Sequence, residues 1–225
     1  MATATLVGST GLVGSNILTS LLAHPTFSAV YAYSRRDLPN ASGSTKLKPL
    51  TSTDTASWPS LFPPSAKIFF SGLGTTRAAA GSVDAQRAID YDLNLSLAKA
   101  AKAAGVETYV LISSSSANSA SSMAYLKMKG QLEDGVKALN FKHTVILKPG
   151  VIQGTRTESR PAEAVVRGIA GALRKLSPML TDFWVQDAAA IARAAVHAGV
   201  QCVEDKREPG VWELGQSDIV ALGKQ

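Results

Sequence analysis

Cysteine is almost absent, since Cys202 is the only one in 225 residues. A disulfide scaffold is therefore excluded, and a lone thiol suits a reducing compartment such as the cytosol or an intracellular membrane face. The residue reads as a small packed side chain late in a helix, not as a nucleophile. Aromatic residues are scarce at 6%, but 45% hydrophobic residues against 18% charged exclude disorder and suit one large domain with a real core. Metal-ligand spacing is missing too. His24, His143 and His197 lie far apart, with no cysteine or carboxylate placed to complete a site.

Charge is absent from the beginning, where residues 1–34 contain no Asp, Glu, Lys or Arg. A bilayer-crossing helix is nevertheless excluded, because Gly8, Ser9, Thr10, Gly11, Gly14, Ser15, Asn16, His24 and Pro25 interrupt the segment. No Arg-rich amphipathic presequence is present, since the first cation is Arg35. The segment reads as the start of the fold, with no presequence to be cleaved. Overall the chain is basic, at net charge +6, but its cations are spread from Arg35 to Lys224 without a run or aromatic interleaving. That pattern predicts weak attraction to anionic surfaces or cofactors and no nucleic-acid face.

What is present is alternation. Strands are expected at Thr3–Val7, Ala29–Ser34, Lys46–Leu50, Lys67–Ser71, Thr108–Ile112, His143–Lys148 and Val211–Leu214. Helices are expected at Leu12–Ala23, Val83–Ala104, Ser121–Leu139, Pro161–Leu176 and Asp187–Ala198. Continuously apolar strands separated by helices predict an α/β fold, a doubly wound parallel sheet covered on both faces. The Pro-, Ser- and Thr-rich segment 39–66 reads as surface loop with one weak strand. The strict alternation breaks near residue 150. The chain then reads as a single domain of residues 1–225, with a nucleotide-binding core at 1–150 and a small substrate or partner lobe at 151–225.

Four stretches carry chemistry. Gly8-x-x-Gly11-x-x-Gly14 follows an apolar strand and opens a helix, the context a dinucleotide fingerprint requires. Gly8 permits the tight turn, Gly11 lets backbone N–H groups approach a pyrophosphate, and Gly14 lets the helix pack on the strand. The second expected strand ends in Ser34-Arg35-Arg36-Asp37. Ser34 and Arg35 suit a 2′-phosphate and hence NADP. Asp37, read as a displaced ribose-binding acid, would give NAD instead, and solvated turn arginines are the plain alternative. Ser71-Gly72-Leu73-Gly74-Thr75-Thr76-Arg77 offers small residues at a strand's carboxyl edge, which suit close cofactor approach or simply a loop.

The fourth stretch is Ser113–Ser116 followed by Tyr125-x-x-x-Lys129. Tyr and Lys at i and i+4 share a helix face. An ammonium beside the phenol is expected to lower its pKa from about 10, and a serine at the strand end can bond a carbonyl or alcohol. Together these groups form an acid–base relay for hydride transfer. A Ser-rich loop beside an ordinary exposed Tyr/Lys pair is the plain alternative.

These motifs together resemble the short-chain dehydrogenase/reductase superfamily in its atypical, extended-like branch. More narrowly, Leu73-Gly-Thr-Thr-Arg77, Tyr125-Leu-Lys-Met-Lys-Gly130, Lys148-Pro-Gly-Val151 and Arg156-Thr-Glu-Ser-Arg-Pro161 are similar to the Tat-interacting oxidoreductase-like proteins. The opening stretch and compact length are similar to their fungal relatives, the FMP family of the mitochondrial proteome. The resemblance covers essentially the whole chain and implies an NADP-binding Rossmann fold. By that resemblance Gly8, Ser9, Thr10, Gly11, Leu12, Val13 and Gly14 hold the pyrophosphate, and Arg35 and Arg36 meet the 2′-phosphate. Leu73 and Gly74 line the adenosine side, and Pro149, Gly150 and Val151 close over the nicotinamide. Tyr125 is the acid–base and Lys129 orients the ribose. Ser114 aligns best as the catalytic serine, with Ser113 and Ser115 beside it, and Asp90 or Asn94 falls near the family's asparagine.

The reading is an NADPH-dependent oxidoreductase acting on a carbonyl or alcohol, with NAD as the other coenzyme. An NADPH-binding regulator that recognises a protein partner is the alternative. The resemblance implies a mitochondrial protein, peripheral on the outer membrane, with a cytoplasmic location as the alternative. After Ser159 and Pro161, Arg160, Arg167 and Arg174 recur seven apart and would share one helix face, either solvated or touching an anionic membrane.

Overall fold

A computed structural model describes residues 1–38, 43–153 and 185–225. The Arg156–Pro161 stretch, the expected helix 161–176 and its arginine face lie outside the described residues.

Seven parallel strands form the main sheet. They are β1 (Ala2–Val7), β2 (Phe27–Ser34), β3 (Leu47–Thr51), β4 (Ile68–Ser71), β5 (Thr108–Ile112), β6 (His143–Leu147) and β9 (Gly210–Leu214), in the order β3-β2-β1-β4-β5-β6-β9. All seven expected strands are there, each within two residues at either end. β4 and β5 are buried at every position, as central strands covered on both faces must be. Alternate residues serve opposite cores. Ile68, Phe70, Val110 and Val145 join one, packed with Ile17 and Leu21 of α1 (Leu12–Ala23) and Ile191 and Ala195 of α6 (Ala188–Val203). Phe69, Tyr109, Leu111 and Ile146 join the other, against Leu97 and Ala101 of α4 (Asn94–Ala103) and Leu132 and Val136 of α5 (Ala124–Lys137). The edge strand β3 accommodates Pro49, which has no N–H to offer a neighbour.

Three helical segments depart from expectation. Residues 83–104 do not form one regular α-helix. α3 (Val83–Arg87) runs into a π-helical stretch, Ala88–Leu93, before α4, and a short α2 (Arg77–Ala80) precedes them. α6 continues through Gly199 to Val203, beyond the expected end at Ala198. A Cβ at Gly199 would lie 2.7 Å from Ile68 Cδ1 and 2.9 Å from Phe70 Cζ. The glycine there is a contact surface that lets α6 lie on β4. Cys202 is buried late in α6 as expected, and desolvation pushes its thiol up to about 11.

The described part of 151–225 divides between two places. β7 (Val151–Gln153) and β8 (Val185–Asp187) pair as a separate two-stranded ribbon. α6, β9 and α7 (Gln216–Leu222) return to the main layers, β9 pairing with β6 at the sheet edge and α6 packing on α1. The carboxyl ends of β1 and β4, where the strand order reverses, define the crevice at which such sheets bind ligands.

Candidate nucleotide and catalytic site

The loop after β1 is shaped by backbone contacts that exclude side chains. Gly8 has φ +83°, and a Cβ there would lie 2.5 Å from the Gly72 carbonyl. A Cβ on Gly14 would lie 2.0 Å from the Gly8 oxygen. These two glycines let the β1 loop, the β4 loop and the first turn of α1 meet backbone to backbone. Gly11 caps α1 without a side-chain hydrogen bond, leaving the first N–H groups of a 12-residue helix free of a capping side chain. Such a terminus suits a pyrophosphate. Ser9 ties the loop to the end of β2, its Oγ donating to the Tyr33 carbonyl at 2.7 Å.

Past β2, Ser34 and the arginines part company. Ser34 is buried and its hydroxyl meets Thr51 Oγ1 at 3.3 Å, so it is directed at β3. Arg35, Arg36 and Asp37 are all exposed.

The loop after β4 is gripped by one helical edge. Gln86 Nε2 donates to the Thr75 carbonyl (3.0 Å), Asp90 Oδ1 accepts from the Thr75 N–H (2.6 Å), and Asn94 Nδ2 donates to the Leu73 carbonyl (3.1 Å). Asn94 Oδ1 also accepts from Ser71 Oγ at 2.5 Å. All three side chains are buried, at spacings of i, i+4 and i+8. Desolvation raises the Asp90 carboxyl to about 6, against the lowering pull of the Thr75 N–H, Lys129 and Gln86.

At the end of β5 the serines divide by role. Ser113 is buried and donates to Glu133, itself only 3% exposed and paired with Lys148 at 3.1 Å. Ser114 is half-buried, while Ser115 and Ser116 are exposed. With Ser113 engaged by a carboxylate, Ser114 is the better placed hydroxyl for a ligand. The following loop crosses α5 at Gly130, where a Cβ would come within 2.1 Å of the Ser119 nitrogen. Lys129, one residue earlier, is 4% exposed and donates from Nζ to the Ile112 carbonyl at 3.1 Å.

Tyr125 is 43% exposed, and its phenol is not lowered by its neighbour as expected. Desolvation first, then the Asp90 carboxylate, hold it above its ordinary value. Burial pulls the Lys129 pKa down against Asp90 and Glu133, and its Nζ is directed to the Ile112 carbonyl. Pro149 and Gly150 lie between β6 and β7, and Val151 opens β7. The Gly150 N–H donates to Gln186 at 3.3 Å, and Val151 is about half exposed. Gln86, Glu133 and Gln186 were not legible as site residues, although Gln86 continues the polar rhythm of Asp90 and Asn94 along an Ala- and Leu-rich segment.

A family model described as HIM1 matches residues 46–176. A curated relative, "Protein fmp52-1, mitochondrial" of Aspergillus terreus, is 51% identical over all of both chains. The chain belongs to the HIM1/Fmp52 family. Among solved structures, MoeE5 in complex with UDP-glucose and NAD superposes on this Fmp52-like chain with a TM-score of 0.67 at 18% identity. The match covers 98% of this chain and 80% of MoeE5. A short chain dehydrogenase family protein of Francisella tularensis gives 0.68 at 12% identity, covering 97% and 98%. These likenesses show that the chain has a Rossmann-type fold like that of the short-chain dehydrogenase protein.

Proposed function

We propose that this HIM1/Fmp52 protein is an NADPH-dependent oxidoreductase acting on a carbonyl or alcohol. One observation carries the reading most. A buried lysine held under the end of β5, a tyrosine one turn before it and a half-buried serine beside it share the sheet edge that also carries the uncapped α1 terminus. A nicotinamide nucleotide is supported by the structural likeness to MoeE5, which is complexed with NAD. The exposed Arg35 and Arg36 favour the phosphorylated coenzyme.

When bound, the reduced nicotinamide would supply the hydride. Gly8–Gly14 would hold the pyrophosphate on backbone N–H groups, and Leu73 and Gly74 would line the adenosine side. Ser114 would bond the substrate oxygen, Tyr125 would give that oxygen its proton, and Lys129 would hold the ribose. The test is NADPH oxidation against a panel of carbonyls, with Tyr125→Phe as the paired variant. Turnover should fall ~10²–10⁴-fold while NADPH still binds. An unchanged rate would remove Tyr125 from the chemistry.

A second reading is an NADPH-binding regulator of a protein partner. Tight NADPH binding with no turnover on any carbonyl would select it.

The mitochondrial Aspergillus terreus relative supports a mitochondrial location. We place the protein peripherally on the outer membrane, in keeping with the absence of any membrane-length apolar helix among the described residues. Release from isolated mitochondria by high salt or carbonate is expected. Resistance to both would require an integral anchor.

A further inference from the structure

Two residues of α5 one turn apart, Glu133 and Lys137, clamp the ends of three strands. Glu133, only 3% exposed, accepts from the Ser113 hydroxyl at the end of β5 and from Lys148 Nζ, just past β6, at 3.1 Å. Lys148 also meets Glu213 of β9 at 3.3 Å, and Glu213 returns to α5 through Lys137 at 2.6 Å. The Ser113 N–H donates to the Leu147 carbonyl at 2.8 Å and the Ser115 N–H to the Pro149 carbonyl at 2.8 Å, so the loops after β5 and β6 leave the sheet joined. A buried ion pair is a poor source of stability, since apolar side chains of like volume often do as well or better. What the carboxylate adds is direction, because it fixes the Ser113 hydroxyl and the Lys148 ammonium at once.

Resting on the coenzyme part of the oxidoreductase reading above, we propose that Glu133 is a positioning residue that holds the loops after β5 and β6 as one wall for the hydride-bearing half of the coenzyme. The strand order β2-β1-β4-β5-β6 sets the direction. On that reading Arg35 after β2 takes the 2′-phosphate and the α1 terminus takes the pyrophosphate. The remaining half then points along the sheet edge toward β5 and β6. There Ser114 follows the serine that Glu133 holds, and Pro149 and Gly150 follow the lysine that it holds. Lys129 lies one turn before Glu133 on α5, with its Nζ on the carbonyl of Ile112, the residue before Ser113. Glu133 acts through Ser113 and Lys148 rather than on a ligand. Its loss should loosen the wall without altering the loop after β1.

The test compares, by isothermal titration of the full chain, NADPH with adenosine 2′,5′-bisphosphate, which has the phosphorylated adenosine half and no nicotinamide. Glu133→Gln keeps an oxygen for the Ser113 hydroxyl but turns an amide NH2 toward Lys148, donor against donor. NADPH should bind roughly tenfold more weakly, the scale of a lost charge-assisted contact, and the bisphosphate should bind as before. In the ligand-free variant the Ser115 amide, bonded to the Pro149 carbonyl, should exchange faster with deuterium, while that of Gly11, bonded to the Gly8 carbonyl, should not. Unchanged NADPH binding in a folded Glu133→Gln, or an equal loss for both ligands, overturns the proposal. Should that variant fail to fold, Ser113→Ala, which removes the other bond to Glu133, is judged with the same two ligands by the same criteria. A selective loss of NADPH with no turnover on any carbonyl would uphold the wall and sink the oxidoreductase reading. A natural protein that binds neither ligand would sink the coenzyme site, and the wall with it.

Discussion

Within four positions at the end of β2, neighbouring side chains take unlike tasks. Tyr33 lends its carbonyl to Ser9 and buries its ring, Ser34 turns to Thr51, and Arg35 and Arg36 stand exposed at the rim. Ser34 is engaged by Thr51, so the NADPH preference proposed above rests on the exposed arginines and not on Ser34. Arg35→Ala should weaken NADPH by a charge-assisted bond, about 1.5–3 kcal/mol, and leave NADH nearly unchanged. Isothermal titration with both coenzymes checks this. An equal loss for the two would place Arg35 away from the 2′-phosphate and return Asp37 to contention as the acid of an NAD site.

Elements were legible where one physical demand fixes one pattern. Strands such as Ile68–Ser71 and Thr108–Ile112 are buried on both faces, so an unbroken apolar run could be little else. The first and last glycines of the triplet were legible for a similar reason, because their backbones meet each other and that of Gly72 and leave no room for a Cβ on Gly8 or Gly14. The π-helical stretch was not, since nothing in Ala88–Leu93 breaks helical propensity. It brings Gln86, Asp90 and Asn94 to bear on a loop distant in sequence, and that partnership exists only after folding. The Tyr125–Lys129 pair shows the same limit. Spacing along α5 placed them on one face, but desolvation of the phenol, and after it the charge of Asp90, 35 residues earlier in the chain, reverse the expected direction. α6 runs past its expected end at Ala198, where Gly199 packs on β4, a partner that exists only after folding.

Across the whole molecule, two buried titrating groups sit at opposite edges of the sheet and pull stability in opposite directions. His143 opens β6 at the amino edge, 2% exposed, with both ring nitrogens lacking a hydrogen bond of good geometry. Desolvation, then Lys142, lower its pKa from 6.5, against Asp205, the Glu208 backbone and Glu107. The unfolded chain therefore binds the His143 proton more readily than the native one, and stability from this group is lost as pH falls below 6.5 toward the folded value. Asp90 does the reverse. Its carboxyl rises from 3.8 to about 6 on folding, so the native state takes up a proton first and gains stability as pH falls through that window. A shift of that size corresponds to about 3 kcal/mol of cost at neutral pH, relieved by acid. Urea denaturation of the natural protein, His143→Leu and Asp90→Asn between pH 7.5 and pH 4 separates the two groups. Relative to the natural protein, His143→Leu should gain stability as the pH drops past 6.5. The advantage of Asp90→Asn should be largest at pH 7.5 and shrink toward pH 4. Parallel pH curves for the natural protein and His143→Leu would mean that the ring finds a proton acceptor in the native state, and the orphaned histidine would have to be given up.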